Sequence, residues 1–342
     1  MAATARSGSL RSYVLGRLAV APVFLFLLLT LLFVLLRVMP GDPISAALGD
    51  RLSAEQIEVR RQAAGLNDPI LVQYGRYLGG VVQGDLGTPA TDPRNVRQIV
   101  FDLVPATFEL TMFAMVVAVV IGILVGAIGA RYRDGPFDVG GRIFGIVIYA
   151  APVFWLGILA QLLFANRWGL LPSGNRISAR IVFEDPTGFY LLDGIITGNW
   201  ALWSGALKHL LLPGMTLGLV ISGVFIRMVR VNMLQTLRAD YVEAAQARGV
   251  ANRRVVFAHA FKNALVPVVT IMGLQFALLL GGAILTETTF SWPGLGQALV
   301  EFINRRDYAA VQGIVTFFAI MIVIVSLLID IINGLLDPRV RY

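Results

Sequence analysis

The chain has 342 residues, of which 57% are hydrophobic and only 14% are charged, and its mean hydropathy is +0.75. This balance excludes a water-soluble globular domain and predicts an all-α integral membrane protein in contact with membrane lipid. The formal net charge of +7 comes mostly from arginines between apolar runs, so it indicates a membrane topology and gives no reason to expect a nucleic-acid partner. Because the chain has no cysteine, disulfides and thiolate metal sites are excluded, and we assign no metal site.

Six runs without charged residues are each long enough to cross about 30 Å of hydrocarbon at about 1.5 Å per residue. They lie at 18–36, 110–130, 143–166, 210–226, 263–286 and 308–329. We therefore expect six transmembrane helices with both termini on one side of the membrane. The first run is longer than the apolar core of a signal peptide, so we interpret it as a retained span.

The basic residues indicate the orientation of these spans. Segment 227–262 has seven Lys and Arg residues against two acidic residues. Since basic residues concentrate in cytoplasmic loops, we predict that this segment and both termini are cytoplasmic.

The long outer segment 37–109 carries helix signals of its own. Ser53 and Gln56 have the spacing of a capping box, which predicts a helix that is ended by Gly65. A second amphipathic stretch follows at 73–82. We expect a small extracytoplasmic subdomain between the first two spans on which another protein rests, and a lipid-facing decoration is the alternative.

Two features of the second and third spans predict how they pack. Gly122, Gly126 and Gly129 place small residues on one helix face, which favours close helix packing. Pro152 lies inside the third span and predicts a kink there.

The cytoplasmic segment contains a decapeptide that we interpret as a docking surface. It reads Asp240-Tyr241-Val242-Glu243-Ala244-Ala245-Gln246-Ala247-Arg248-Gly249. Asp240 and Glu243 have capping-box spacing, which predicts a short helix that begins at residue 241. Gly249 can close this helix in a left-handed conformation, and Asn252 can start a second helix. The alanines leave a face with little bulk, which another protein can approach closely. An ordinary amphipathic surface loop is the alternative.

Residues 286–296 are too rich in aromatic residues and glycine for a plain polar turn. Their candidate functional residues are Phe290, Trp292, Pro293 and Gly294. The Trp-Pro-Gly turn fixes an aromatic ring on stiff backbone beside a glycine that permits close approach. We predict an outer gate that faces a translocation pathway or a binding protein, and interfacial anchoring of the tryptophan is the alternative.

A series of short stretches resembles one known family, in order along nearly the whole chain. They are Pro40-Gly41-Asp42-Pro43, residues 65–69, Gln73-Tyr74, residues 84–87, Val104-Pro105-Ala106-Thr107, residues 152–155, residues 171–174, residues 209–213, residues 240–249, residues 290–296, Arg306-Asp307-Tyr308 and residues 336–339. Together they resemble permeases of the dipeptide and oligopeptide class of ABC importers, the DppB and OppB type. Residues 240–249 resemble the EAA loop of such permeases. The departures are modest and lie at Thr88-Pro89 and Gly214.

This resemblance implies a type I ABC importer transmembrane fold in the plasma membrane of a prokaryote. Residues 1–95 would form the first transmembrane helix and the extracytoplasmic subdomain, and residues 96–337 the permease core with its coupling loop at 227–262. The implied partners are a second permease of the DppC type, one or two ATP-binding subunits and an extracytoplasmic substrate-binding protein. The proposed ATPase-coupling residues are Asp240, Glu243, Ala244, Ala245 and Gly249.

The chain's own residues leave the energy source to another subunit. No Gly-x-x-x-x-Gly-Lys-Ser/Thr phosphate loop is present, so we expect ATP and Mg on partner subunits, with no cofactor and no catalytic residue on this chain. The charge-free spans disfavour an ion-coupled secondary transporter or channel. An intramembrane enzyme is disfavoured because the sequence has no His-Glu-x-x-His motif and no convincing Ser and His pair inside the spans. The resemblance implies a peptide substrate, with a nickel chelate, glutathione or haem as alternatives.

Overall fold

The computed structural model describes residues 10–38, 42–49, 52–251, 254–255 and 261–336. Every regular element in these ranges is helical, which confirms the predicted all-α class. The helices are α1 (Leu10–Val38), α2 (Pro43–Leu48), α3 (Ala54–Ala63), α4 (Ile70–Gln83), α5 (Val96–Arg131), α6 (Pro136–Ala150), α7 (Val153–Ala160, continued by the π-helical turn Gln161–Arg167), α8 (Tyr190–Ile196), α9 (Trp200–Thr236), α10 (Asp240–Ala247), α11 (Phe261–Ala264), α12 (Val266–Gly282), α13 (Ile284–Thr289), α14 (Leu295–Asn304) and α15 (Tyr308–Leu336). The motif residues 40, 41 and 337–339 and the expected cap Asn252 lie outside the described residues.

Four of the described helices are long and apolar enough to cross a membrane by themselves: α1, α5, α9 and α15. Helices α6 and α7 pass the same test only as a pair, so the described residues give up to five spans. The fifth predicted span corresponds to α12, whose apolar stretch is shorter, at Pro267–Leu279. The described residues therefore do not reproduce the expected six transmembrane helices as six separate long helices.

Helices α5 and α9 extend well beyond the apolar runs that predict them. The expected spans begin at residues 110 and 210, whereas the helices begin at Val96 and Trp200. The physical reason is that the runs were bounded by charged residues, and two of these, Glu109 and Lys208, lie inside α5 and α9. Glu109 is a member of a buried ion pair there. A charged residue therefore ends an apolar run without ending the helix.

The glycines of α5 bring its backbone close to α9. A Cβ added to Gly122 would lie 2.2 Å from the Cβ of Phe225, and one added to Gly126 would lie 2.8 Å from the carbonyl oxygen of Ile226. This confirms that the glycine face serves packing, because no larger side chain fits between these helices without movement.

The third predicted span is sharply bent at Pro152. The axes of α6 and α7 differ by 101°. Ala151, which precedes the proline, is extended with ψ of 133°, as expected for a residue whose α conformation clashes with the proline ring. The predicted kink is confirmed as a break between two helices.

The outer subdomain begins as the sequence predicts. Ser53 and Gln56 form a capping box at the start of α3, and Gly65 has φ of +65° after its end. Helix α4 then packs against two spans: the hydroxyl oxygen of Tyr74 lies 2.5 Å from that of Thr30 on α1, and that of Tyr77 lies 2.7 Å from that of Thr316 on α15.

Candidate coupling surface and outer cluster

The predicted docking helix is present as α10, but its start differs from the prediction. Asp240 is the first helical residue, and the N-cap is Ala239, which is extended and has no side-chain cap. The expected capping box of Asp240 and Glu243 is therefore wrong. The prediction fails because Asp240 is already the first residue of the helix, whereas a capping side chain has to come from the non-helical residue before it. Both carboxylates still lie in the first turn, where the helix dipole favours negative charge.

The end of α10 is a Schellman motif built on Gly249. Gly249 has φ of +76°, its amide donates to the carbonyl of Gln246 at 2.9 Å, and the amide of Val250 donates to the carbonyl of Ala245 at 3.2 Å. This confirms the predicted left-handed closure. A Cβ added at Gly249 would meet nothing within 4 Å, so the backbone angle and not space demands glycine here.

The two central alanines of α10 differ in their exposure. Ala245 is 1% exposed and packs with Val242 and Val255, whereas Glu243 and Ala244 are exposed. The expectation that Ala245 belongs to an open docking face is therefore wrong. The reason is helical spacing, because residues three apart share a face and Val242 has to be buried. The exposed candidate surface, called the coupling surface below, comprises Asp240, Glu243, Ala244 and Ala247.

The coupling surface is connected to the spans at both ends. Three residues separate α10 from the end of α9, and the amide of Leu237 still donates to the carbonyl of Met233 at 2.9 Å. Tyr241 accepts a hydrogen bond from the side-chain amide of Asn263 on α11 at 3.0 Å. These contacts connect α10 to α9 and to the segment that leads into α12.

The predicted gate residues form a buried cluster within the subunit. Phe290 and Trp292 are each 1% exposed, and the indole nitrogen of Trp292 donates to the carbonyl of Ala106 at 2.9 Å. The expectation that these two rings face a pathway or a binding protein is therefore wrong for this structure, because both are enclosed by the chain's own helices. Pro293 remains exposed, and Gly294 is buried.

Glu287 organises this cluster, and sequence reasoning did not single it out. Its buried carboxylate accepts from the hydroxyl of Thr107 at 2.7 Å and from the amide of Gln297 at 3.0 Å. A Cβ on Gly294 would lie 2.5 Å from this carboxylate, which explains why the turn requires glycine there. The carboxylate therefore caps α14, which starts with no side-chain cap of its own.

Thr107 completes the connection between two motifs that are far apart in sequence. Its hydroxyl accepts from the amide of Leu295 at 2.9 Å while it donates to Glu287. The stretch at 104–107 and the turn at 290–296 are thus one structural unit. We call Ala106, Thr107, Glu287, Phe290 and Trp292 the outer cluster.

The segment 168–189, between the π-helical turn and α8, which we call the second outer loop, is attached to this unit at several points. The amide of Asn175 donates to the carbonyl of Phe290 at 2.9 Å, and the ring nitrogen Nδ1 of His209 lies 2.8 Å from the carbonyl of Gly174. The side-chain amide of Gln161 donates to the carbonyls of Ser173 and Thr289.

Among the described residues, no group of three or more His, Cys, Asp or Glu side chains could hold a metal ion.

A buried ion pair lies beside the outer cluster. The guanidinium of Arg176 contacts the carboxylate of Glu109 on α5 at 2.6 Å, and both residues are less than a tenth exposed. Arg176 also stacks over the ring of Tyr190 at 3.7 Å, and the amide of Leu191 donates to Glu109 at 2.9 Å. The pair therefore fixes the second outer loop and α8 to α5.

The described residues thus form a helical protein with several apolar helices long enough to cross a membrane and a short exposed helix, α10, that follows one of them. Residues 118–342 match the family described as binding-protein-dependent transport system inner membrane component, and residues 10–111 match the N-terminal region of such components. The chain belongs to this family of inner membrane transport components.

Several relatives are similar over nearly the whole chain. The dipeptide transport system permease protein DppB of Alkalihalophilus pseudofirmus is 38% identical over 331 residues, covering 97% of this chain and 99% of the relative. The di/tripeptide transport system permease protein DppB of Pseudomonas aeruginosa is 39% identical, with the same two coverages. The dipeptide transport system permease protein DppB of Escherichia coli K12 is 39% identical, covering 96% and 98%.

Proposed function

We propose that this chain is a permease subunit of an ATP-driven importer of dipeptides and oligopeptides. The observation that carries the proposal is its similarity, over nearly full length, to three permeases whose names specify dipeptides or di- and tripeptides. A peptide substrate is thus favoured over a nickel chelate, glutathione or haem.

The subunit works with partners that supply energy and substrate. The phosphate loop missing from this sequence would be on one or two ATP-binding subunits, together with Mg. A second permease of the DppC type would complete the pathway, and a substrate-binding protein would deliver the peptide outside the plasma membrane, with both termini of this chain cytoplasmic.

The coupling surface is the part that would contact an ATPase. Glu243 and Ala244 are exposed on a helix that is joined to α9 by only three residues. A displacement of α10 during nucleotide binding would therefore reach a helix of 37 residues.

The outer cluster would act as a fixed support at the outer end. Its rings are buried, so any gating contact with a binding protein or pathway would be made by the exposed Pro293. The surrounding glycines and the carboxylate of Glu287 would hold that proline in place.

Two measurements test this proposal. The chain, expressed with its genomic neighbours and purified in mild detergent, should retain a second permease and an ATPase. The ligand of the cognate binding protein, identified by mass spectrometry after gentle denaturation, should be a peptide. A nickel chelate or haem in its place would contradict the peptide assignment, and purification without any ATPase would contradict the importer assignment.

A further inference from the structure

An ion pair joins α6 to α9 at the end of the helices that leads to the coupling surface. The carboxylate of Asp138 accepts from Nε of Arg230 at 2.5 Å and from Nη2 of the same residue at 2.7 Å. The amide of Asp134 donates to the second carboxylate oxygen at 2.9 Å. Asp138 therefore makes two hydrogen bonds to α9 and one to the turn that precedes α6, and it connects these two elements.

This pair is enclosed by three helices. The Asp138 side chain has no exposed surface, and that of Arg230 is 17% exposed. A Cβ on Gly129 of α5 would lie 3.2 Å from the carboxylate, so α5 closes the third side. Arg142 approaches the same carboxylate only at 3.9 Å, and its side chain is largely in solvent at 46% exposed.

The geometry of this contact resists sliding of one helix along the other. A planar guanidinium with two parallel bonds to one carboxylate fixes direction as well as distance. Farther along the same interface, a Cβ on Gly223 of α9 would lie 2.5 Å from the carbonyl oxygen of Gly145 on α6. Ion pair and glycine contact together fix α6 to α9 at two points.

The attachment lies between the coupling surface and the outer cluster. Arg230 lies six residues before Thr236, the last residue of α9, which is about 9 Å at about 1.5 Å per residue, and three further residues lead to α10. Beyond the break at Pro152, α7 places Gly157 against the ring of Phe290, where an added Cβ would lie 3.0 Å away. A series of packed elements therefore connects α10 with the outer cluster.

We propose that Asp138 and Arg230 are positioning residues that make α6 move with α9 when an ATPase displaces α10. This inference rests on the proposed function, since it requires an ATPase at the coupling surface. Without the pair, α9 would move while α6 and α7 lag behind. Nucleotide hydrolysis would then proceed with less transport.

The test compares three variants in complexes reconstituted into proteoliposomes. Asp138→Asn removes the charge with little change in shape, and Arg230→Lys keeps the charge but loses the two-point geometry. Arg142→Gln is the matched control, because it removes the solvent-exposed cation beside the same carboxylate. The measured quantity is peptide transported per ATP hydrolysed, together with the subunits retained.

We expect Asp138→Asn to lower this ratio about fivefold or more, the lower range of typical coupling between sites. Arg230→Lys should lower it by an intermediate factor, and Arg142→Gln should leave it unchanged. A normal ratio in Arg230→Lys would overturn the inference even if Asp138→Asn fails to accumulate. An equal fall in transport per ATP hydrolysed in Arg142→Gln would also overturn the inference, because a general effect of charge would then be the cause. If the unmodified complex retains no ATPase, the failure is that of the proposed function.

Discussion

The coupling surface and the outer cluster are held in place in two different ways. The coupling surface leaves Glu243 and Ala244 exposed and is held from within by a small apolar contact of Val242, Ala245 and Val255. The outer cluster buries Trp292 and Glu287 completely and satisfies them with hydrogen bonds from or to α5. A surface that awaits a partner has few internal contacts, whereas a fixed support has many. Their responses to substitution should differ accordingly.

The largest expected effect is on the outer cluster. Trp292→Ala removes a fully buried indole and its bond to the carbonyl of Ala106, which should cost about 3–5 kcal/mol of stability. Thermal unfolding of the purified complex in detergent measures it. Trp200→Ala is the matched control, because that ring is 67% exposed and should change stability little. Equal stability of the two variants would contradict the buried role of Trp292.

Two neighbouring alanines of α10, one in the coupling surface and one buried behind it, sharpen the comparison. Ala245→Trp overpacks the buried side of α10 and should destabilise the segment that contains α10 by about 1–3 kcal/mol. Ala244→Trp adds the same ring on the exposed side and should leave subunit stability unchanged while it lowers the amount of ATPase that co-purifies. Limited proteolysis and subunit stoichiometry distinguish the two results. Full ATPase retention in Ala244→Trp would remove that residue from the docking surface.

Gly249 tests the backbone at the end of the coupling surface. Gly249→Val places a β-branched residue at φ of +76°, which should cost about 1–2 kcal/mol although nothing lies within 4 Å of the added Cβ. Gly249→Asn is the control, since asparagine tolerates this conformation best after glycine. Coupled ATP hydrolysis should fall in the valine variant and be largely kept in the asparagine variant. If both behave alike, the left-handed conformation is not what the site requires.

The smallest structural perturbation tests the orientation of the two regions. Single cysteines at the exposed positions Ala54 and Arg180 should react with an impermeant thiol reagent in intact cells, and one at Gln246 should not. The chain contains no native cysteine that could react instead. Labelling at Gln246 would place the coupling surface outside and reverse the topology.

Sequence patterns predicted where helices occur better than where they end. The capping box at Ser53 was predicted correctly because its backbone really is extended, whereas at Asp240 the extended residue is Ala239, which carries no cap signal. The span limits were missed because Glu109 and Lys208 lie inside helices, and Glu109 is neutralised by Arg176, a partner distant in sequence. No local pattern contains that information.

The burial of individual candidate residues was the hardest property to predict. Trp292 had the features of an exposed aromatic gate, and only the position of Ala106 on α5 shows that it is buried. Ala244 and Ala245 are chemically identical, so their opposite exposure depends on the position of Val255. For Trp292 the missing information was a contact distant in sequence, and for Ala245 it was the packing of α10 against Val255, ten residues farther along the chain.

The glycine contacts between α5 and α9 also limit how this protein could be engineered for stability. Glycine-to-alanine substitution in helices often stabilises a protein by about 0.4–1 kcal/mol because the unfolded chain loses freedom. At Gly122 that route is closed, since the new methyl group would lie 2.2 Å from the Cβ of Phe225. On α4, Gly75 and Gly79 have nothing within 4 Å of an added Cβ. Gly75→Ala and Gly79→Ala should therefore raise the melting temperature of the purified complex, and Gly122→Ala should lower it.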